Sequence, residues 1–215
     1  MTRRAACSAV LFLTLAPLAL TAQVTPPPGW SWHHDVRGVS PDSAGWAFTS
    51  MAPGFHLTTT TSGANLFPTD QRIVGRRGAE AKVILFPGTG GSAYGLGVID
   101  LDAPDSWVGV LVRRNGSVAV ARVQRGMEQP GSWAPAEAVV KPDSNGYATN
   151  LLRIAIGTDE VVFLANGKSI GSMPRSSLPN RPAIAFRMGP ALNMHVTTFD
   201  MITPMAPVPA VKKTP

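Results

Sequence analysis

The chain has 215 residues, of which 44% are hydrophobic, 15% are charged and one is cysteine. That balance excludes wholesale disorder, a disulfide-stapled scaffold and a cysteine-based metal cluster. The formal net charge of +6 raises nucleic-acid binding, yet the basic residues cluster only in pairs (Arg76-Arg77, Arg113-Arg114, Lys212-Lys213), so nucleic acid is not expected as a partner.

The first element is an export signal. Arg3 and Arg4 precede an apolar run from Ala5 to Leu20, which closes on Thr21-Ala22-Gln23. A positive start, an apolar stretch and a small residue at the cut are the marks of a secretory signal peptide over residues 1–22, and they predict a periplasmic or secreted protein. The alternative is an uncleaved N-terminal anchor holding the protein at the membrane, although the run is short of the roughly 20 apolar residues that a span requires. Cys7 leaves with a cleaved signal, and the loss of Arg3 and Arg4 lowers the charge from +6 to +4. Residues 23–45 read as a proline-rich arm that begins at Pro26-Pro27-Pro28, and residues 203–215 as a proline-rich basic tail.

The body, residues 46–202, has a period of two. Leu152-Arg153-Ile154-Ala155-Ile156 alternates as a half-buried strand does, and Ser117–Val123 is rich in β-branched residues. In chain order, further strands are expected at Trp46–Ser50, His56–Thr60, Ala79–Phe86, Tyr94–Leu101, Ala136–Val140, Pro182–Met188 and Met194–Ile202. Two hairpins are predicted, Trp107–Arg113 with Ser117–Arg125 across Asn115-Gly116, and Glu160–Ala165 with Lys168–Met173 across Asn166-Gly167. Asn-Gly suits the two positive φ angles of a type I′ turn. No segment carries a capped helical repeat. Short strands separated by turn signals predict an all-β, antiparallel two-sheet sandwich or barrel.

Three stretches carry a resemblance. They are Tyr94-Gly95-Leu96-Gly97-Val98, Trp107–Val112 with Asn115-Gly116-Ser117, and the later run Asn150–Ile154, Val162–Lys168, Ala183–Phe186 and Val196–Met201. Together they resemble a concanavalin A-like jelly roll of the laminin-G-like and 3-keto-disaccharide-hydrolase-like secreted bacterial kind, over Ala79 to Met201. The resemblance implies binding or processing of glycans. No catalytic motif of that group is present, and no catalytic residue is assigned.

Four constellations could carry chemistry. Asp100, Asp102 and Asp105 are the densest acids and could offer oxygens to calcium, or they could simply line a solvated turn at Pro104-Asp105. Their Asp-x-Asp-x-x-Asp spacing departs from the Glu-x-Asp-x-x-Glu of glycosidases with this fold. His33-His34-Asp35 follows Trp30 and Trp32. Adjacent histidines on an extended chain point to opposite sides, and closed zinc sites want four ligands, so this segment reads as a docking arm (Trp30, Trp32, His33, His34). His56 and His195 are far apart in sequence. The glycine-rich stretch Phe86–Tyr94 lacks both the Gly-Lys-Ser/Thr of a phosphate loop and the Gly-x-Ser-x-Gly of a nucleophile elbow, and reads as a connection. Flat rings can stack on sugar faces, and Trp133 with Tyr94 and Tyr147 are the expected ligand contacts, whereas Trp107 is expected in the core.

Three roles follow. The first is an exported non-catalytic module that binds a glycan or the cell-envelope surface. The second is an accessory subunit docked on a membrane-associated protein complex through its arms. The third is a glycoside-processing hydrolase, which needs two carboxylates facing one cleft.

Overall fold

The computed structural model describes residues 26, 29–35, 45–69, 78–88 and 90–202. The expected signal peptide, the basic tail and most of the proline-rich arm lie outside them. Fifteen strands make up the described chain: β1 (Trp30–His34), β2 (Ala47–Ser50), β3 (Phe55–Thr59), β4 (Ala64–Pro68), β5 (Gly78–Leu85), β6 (Ala93–Asp100), β7 (Ala103–Arg113), β8 (Ser117–Gln124), β9 (Met127–Pro130), β10 (Ala134–Pro135), β11 (Ala148–Ile156), β12 (Glu160–Ala165), β13 (Lys168–Pro174), β14 (Pro182–Met188) and β15 (Leu192–Ile202). A single 3-10 turn, Arg175–Ser177, is the only helical element among the described residues.

Two antiparallel sheets result. The eight-stranded sheet runs β1-β4-β14-β6-β7-β8-β10 with β9 paired to β8, and the seven-stranded sheet runs β13-β12-β11-β5-β15-β3-β2. Period-two patterning decides what lies between them. Tyr94, Leu96 and Val98 of β6, Val108, Val110 and Val112 of β7, and Ile184, Phe186 and Met188 of β14 share one core with Ala81, Val83 and Leu85 of β5 and Ile154 and Ile156 of β11. The residues between them, such as Ile99, Trp107, Leu111, Ala183 and Ala185, form a second cluster on the outer face of the eight-stranded sheet. This is the expected two-sheet sandwich.

The first strand lies where the arm was expected. β1 pairs with β4 from Trp30↔Pro68 to His34↔Ala64 and forms one edge of the eight-stranded sheet. Its tryptophans explain why. Trp30 packs edge-on against Phe55 and Phe199, and Trp32 against Trp46 and Phe48, so the rings cover the open side of their own sandwich.

The turns match expectation only in part. Asn166-Gly167 is the expected hairpin, with φ of +49° and +82°. At Asn115-Gly116 only Gly116 has a positive φ, +81°. Here Arg113 accepts the Gly116 N–H at 3.0 Å, and the Asn115 side chain takes the Ser117 N–H at 2.9 Å. The loop is therefore three residues closed by a glycine, the next most favoured hairpin geometry. A further hairpin at Arg125-Gly126, with φ of +51° and +77°, joins β8 to β9.

Ala136–Val140, expected as a strand, is a turn in which Ala136 accepts the Val139 N–H at 3.0 Å. Asn150 of β11 supplies the missing sheet partner. Its side chain accepts the Val140 N–H at 2.8 Å and donates to the Val140 carbonyl at 3.0 Å, and Asn166 donates to it in turn at 2.9 Å. Asn150 is wholly buried, so Asn150→Leu leaves these groups without partners. A loss of about 2 kcal/mol is expected, read as a lower urea midpoint at unchanged slope.

Candidate functional site

A cleft of about 530 Å³ opens on the outer face of the eight-stranded sheet, lined by Asp35, Gly63, Ser92, Arg113, Glu128 and Arg187 among others. Its centre is Arg187, a charged residue in the otherwise apolar β14 sequence Pro-Ala-Ile-Ala-Phe-Arg-Met. Alternation turns Ile184, Phe186 and Met188 into the core and sends Arg187 outward, opposite Asn65 of β4 and Gly95 of β6. Arg187 is only 1% exposed. A buried charge needs a partner, and Asp35 provides it in a fork-to-fork pair, Nη1 to Oδ1 and Nη2 to Oδ2 both at 2.6 Å.

Local sequence puts Asp35 there. It follows β1 directly, and its N–H donates to the Gly63 carbonyl at 3.1 Å. A Cβ on Gly63 would lie 2.6 Å from the Asp35 carboxylate, and one on Gly126 would lie 2.7 Å from the Asp35 Cβ. Only glycine fits either place. Gly126 also occupies the left-handed φ of the β8–β9 hairpin, so one residue makes the turn and admits Asp35.

Glu128, in β9 opposite Val123, brings a second carboxylate to 4.0 Å from Arg187 Nη2. Arg113, at the end of β7, lies with its guanidinium carbon 3.7 Å from the centre of the Trp133 ring. This cation–π contact fixes the planar group at the cleft wall. The Nε atoms of Arg113 and Arg187 are buried and meet no acceptor among the described residues. His33, Asp35, Asp105 and Arg125 line a smaller adjoining cavity of about 230 Å³. The cleft therefore sets the fixed Asp35–Arg187 pair and the Trp133-backed Arg113 beside the Glu128 carboxylate, and its walls can grip a polar ligand through donors and acceptors.

The expected aromatic contacts do not converge. Trp133 is half-buried beside the outer-face cluster, under Arg113. Tyr94 points the other way, into the inter-sheet core at 1% exposure, where its hydroxyl accepts a hydrogen bond from Asn150 at 3.2 Å. Burial pushes that phenol up to about 12, with Asn150 and then Arg114 opposing. Tyr94 holds the fold together and is out of reach of a surface ligand. Tyr147 is exposed and meets Phe86 edge-on at 5.4 Å.

The three aspartates are also dispersed. Asp100 ends β6 and accepts the Asp102 N–H at 3.0 Å, Asp102 pairs with Arg181, and Asp105 belongs to β7, so the turn lies at Leu101-Asp102 instead of Pro104-Asp105. Among the described residues, no three His, Cys, Asp or Glu side chains gather in one place. Of the docking residues, His34 lies against Trp46 with ring centres 4.2 Å apart. Its pKa is lowered, by burial first and then by His33, while Asp35 opposes.

Sequence reasoning passed over Arg113, Glu128 and Arg187. One signal was available, because a lone arginine inside an apolar strand must be paired. The rest of the cleft joins residues far apart in the chain, and no local spacing marks them.

No protein-family model and no curated protein matches the sequence. Solved structures do match in shape. Carbohydrate-binding module CBM66 from Bacillus subtilis superposes with a TM-score of 0.60 at 9% identity, over 80% of this chain and 95% of that one. The exoplasmic/lumenal domain of VIP36 in its Ca²⁺-bound form gives 0.54 at 8% identity, over 84% and 85%. A family 16 glycoside hydrolase from Bacteroides ovatus gives 0.53 at 9% identity, over 80% and 94%. At these identities the likeness establishes the fold, the concanavalin A-like jelly roll.

Proposed function

We propose that the protein is an exported, non-catalytic glycan-binding module whose sugar site is the cleft around Arg187. One observation carries this reading. A fully buried arginine, locked by Asp35, forms the floor of a cleft whose walls carry Glu128 and Arg113, the latter held against the Trp133 ring. Vicinal hydroxyls are best gripped by planar groups whose donors and acceptors are already oriented, because little freedom is then lost on binding. Trp133 supports Arg113 at the cleft wall through the face of its ring.

The fold is compatible with this role, since a carbohydrate-binding module and a lumenal domain solved with a bound Man3GlcNAc share it. Both Asp35 oxygens are committed to Arg187, which supports binding over glycoside cleavage, where two carboxylates must act on one bond. The apolar segment after Arg3 and Arg4 supports export, which would bring the site to extracellular or envelope glycans.

A glycan array probed with the protein, followed by titration of the retained sugars, tests the reading. Glu128→Gln and Arg113→Ala are each expected to weaken binding about tenfold or more, a loss of about 1.4 kcal/mol, without changing the thermal midpoint. Absence of any retained glycan, or binding in both variants equal to wild type, would overturn it. Release of new reducing ends from a bound glycan would establish the hydrolase instead.

A further inference from the structure

The opposite sheet carries a second polar cluster that the cleft does not use. β3 and β15 pair antiparallel, and this register sets His56 directly against His195, two strands that the sequence separates by most of the body. The ring centres are 6.2 Å apart. Asn193 stands two residues before His195 on the same face of β15, beside His56. His195 Nδ1 is buried and has no hydrogen-bond partner, and His56 Nδ1 and Asn193 Oδ1, also buried, have only the contact between their own two side chains. Buried polar atoms are almost always paired, so the orphan on His195, facing a second imidazole and a carboxamide, calls for a ligand that all three can share.

The tautomer of His195 defines what that ligand must be. Its Nε2 lies 2.8 Å from the Pro53 carbonyl. A carbonyl only accepts, so Nε2 carries the proton and Nδ1 presents a bare lone pair. An imidazole held through one nitrogen by a backbone carbonyl, with the other free, is the usual outer support of a metal-bound histidine. Two imidazoles bound to one tetrahedral ion at about 2.0–2.1 Å have ring centres about 5 Å apart, so the pair, at 6.2 Å, has to close by about 1 Å on binding.

We propose that His56, His195 and Asn193 form a site for one divalent transition-metal ion of the zinc, copper or nickel class. Imidazole nitrogens suit these ions, and a carboxamide oxygen completes three protein ligands with an open position for water. Phe86, edge-on to His56 at 5.0 Å, gives the site an apolar wall. The site is on the other sheet from the glycan cleft and stands or falls separately from it.

Calorimetric titration of the metal-free protein with zinc chloride, and in parallel with copper(II) and nickel(II) chlorides, tests the proposal. One saturable event per chain is expected with at least one of these ions and none with calcium, together with a higher thermal midpoint in the bound form. His56→Gln, on a half-exposed ring, should weaken that binding about tenfold or more and abolish the thermal shift. The double variant His33→Gln with His34→Gln should bind as wild type does. His195→Gln is the less decisive change because that ring is buried, which makes His56→Gln the deciding variant. Failure of all three ions to saturate, wild-type affinity in His56→Gln, or loss of binding in the His33/His34 variant would overturn the assignment.

Discussion

Asp35→Ala is expected to destabilise the protein by about 3–5 kcal/mol, because it strands the Arg187 guanidinium in a setting from which water is excluded. The side chains are 1% and 13% exposed for Arg187 and Asp35, so solvent screening offers little relief. Asn65 accepts from Arg187 only at 3.5 Å and Glu128 stands at 4.0 Å, and neither can replace a bidentate partner. The penalty comes from the unpaired charge, which makes a second variant decisive. Asp35→Ala combined with Arg187→Met removes both charges and should recover much of the loss, even though it adds a second substitution. Urea denaturation of the two variants checks this directly. A cost below about 1 kcal/mol for Asp35→Ala alone would mean that water reaches Arg187 and that the cleft wall is not rigid.

Trp107→Ala carries the second large effect, also about 3–5 kcal/mol. The indole lies flat on the outer face of the eight-stranded sheet, against Gly97 and Gly109, where an added Cβ would come within 2.6 and 2.7 Å of the ring. Its Nε1 donates to the Ala185 carbonyl at 3.4 Å. The two glycines leave a flat bed across β6 and β7, and the ring fills it while tying both strands to β14. Truncation opens a cavity in the outer-face cluster, on which Trp133 and Leu101 also pack. The thermal midpoint should fall by about 10 °C. A fall of only one or two degrees would show that neighbouring side chains collapse into the space.

These two residues show how unevenly the molecule can be read from its sequence. The sandwich was legible because strands such as Leu152–Ile156 alternate, and alternation is a local property. The Asn166-Gly167 hairpin was legible for the same reason, since turn chemistry acts over two residues. β4 was not, because Ala-Asn-Leu-Phe-Pro is buried on both faces and shows no period. β1 was obscured by its neighbours, since Trp30 and Trp32 follow a proline run and their cover comes from Phe55, Phe199 and Trp46 much later in the chain. Ala136–Val140 has the composition of a strand, but a distant asparagine captures its backbone.

The cleft was least legible of all. Asp35, Gly63, Arg113, Glu128 and Arg187 meet only because β1, β4, β7, β9 and β14 share one sheet, so their proximity is a product of topology. Among the expected ring contacts, Tyr94 failed through parity. A residue's side of a strand cannot be fixed until the register is known, and Tyr94 falls on the inward side of β6 whereas Arg187 falls on the outward side of β14. The histidine pair illustrates the same point, because His56 and His195 become neighbours only through the β3–β15 register.

The most direct test follows backbone amide resonances by proton–nitrogen NMR while a glycan retained on the array is added. If the Arg187 cleft is the sugar site, the shifts concentrate at Gly63, Gly91, Ser92, Gly126 and Glu128, with the amides of β3 and β15 unmoved. Shifts gathered on the seven-stranded sheet, or spread evenly over the surface, would contradict it.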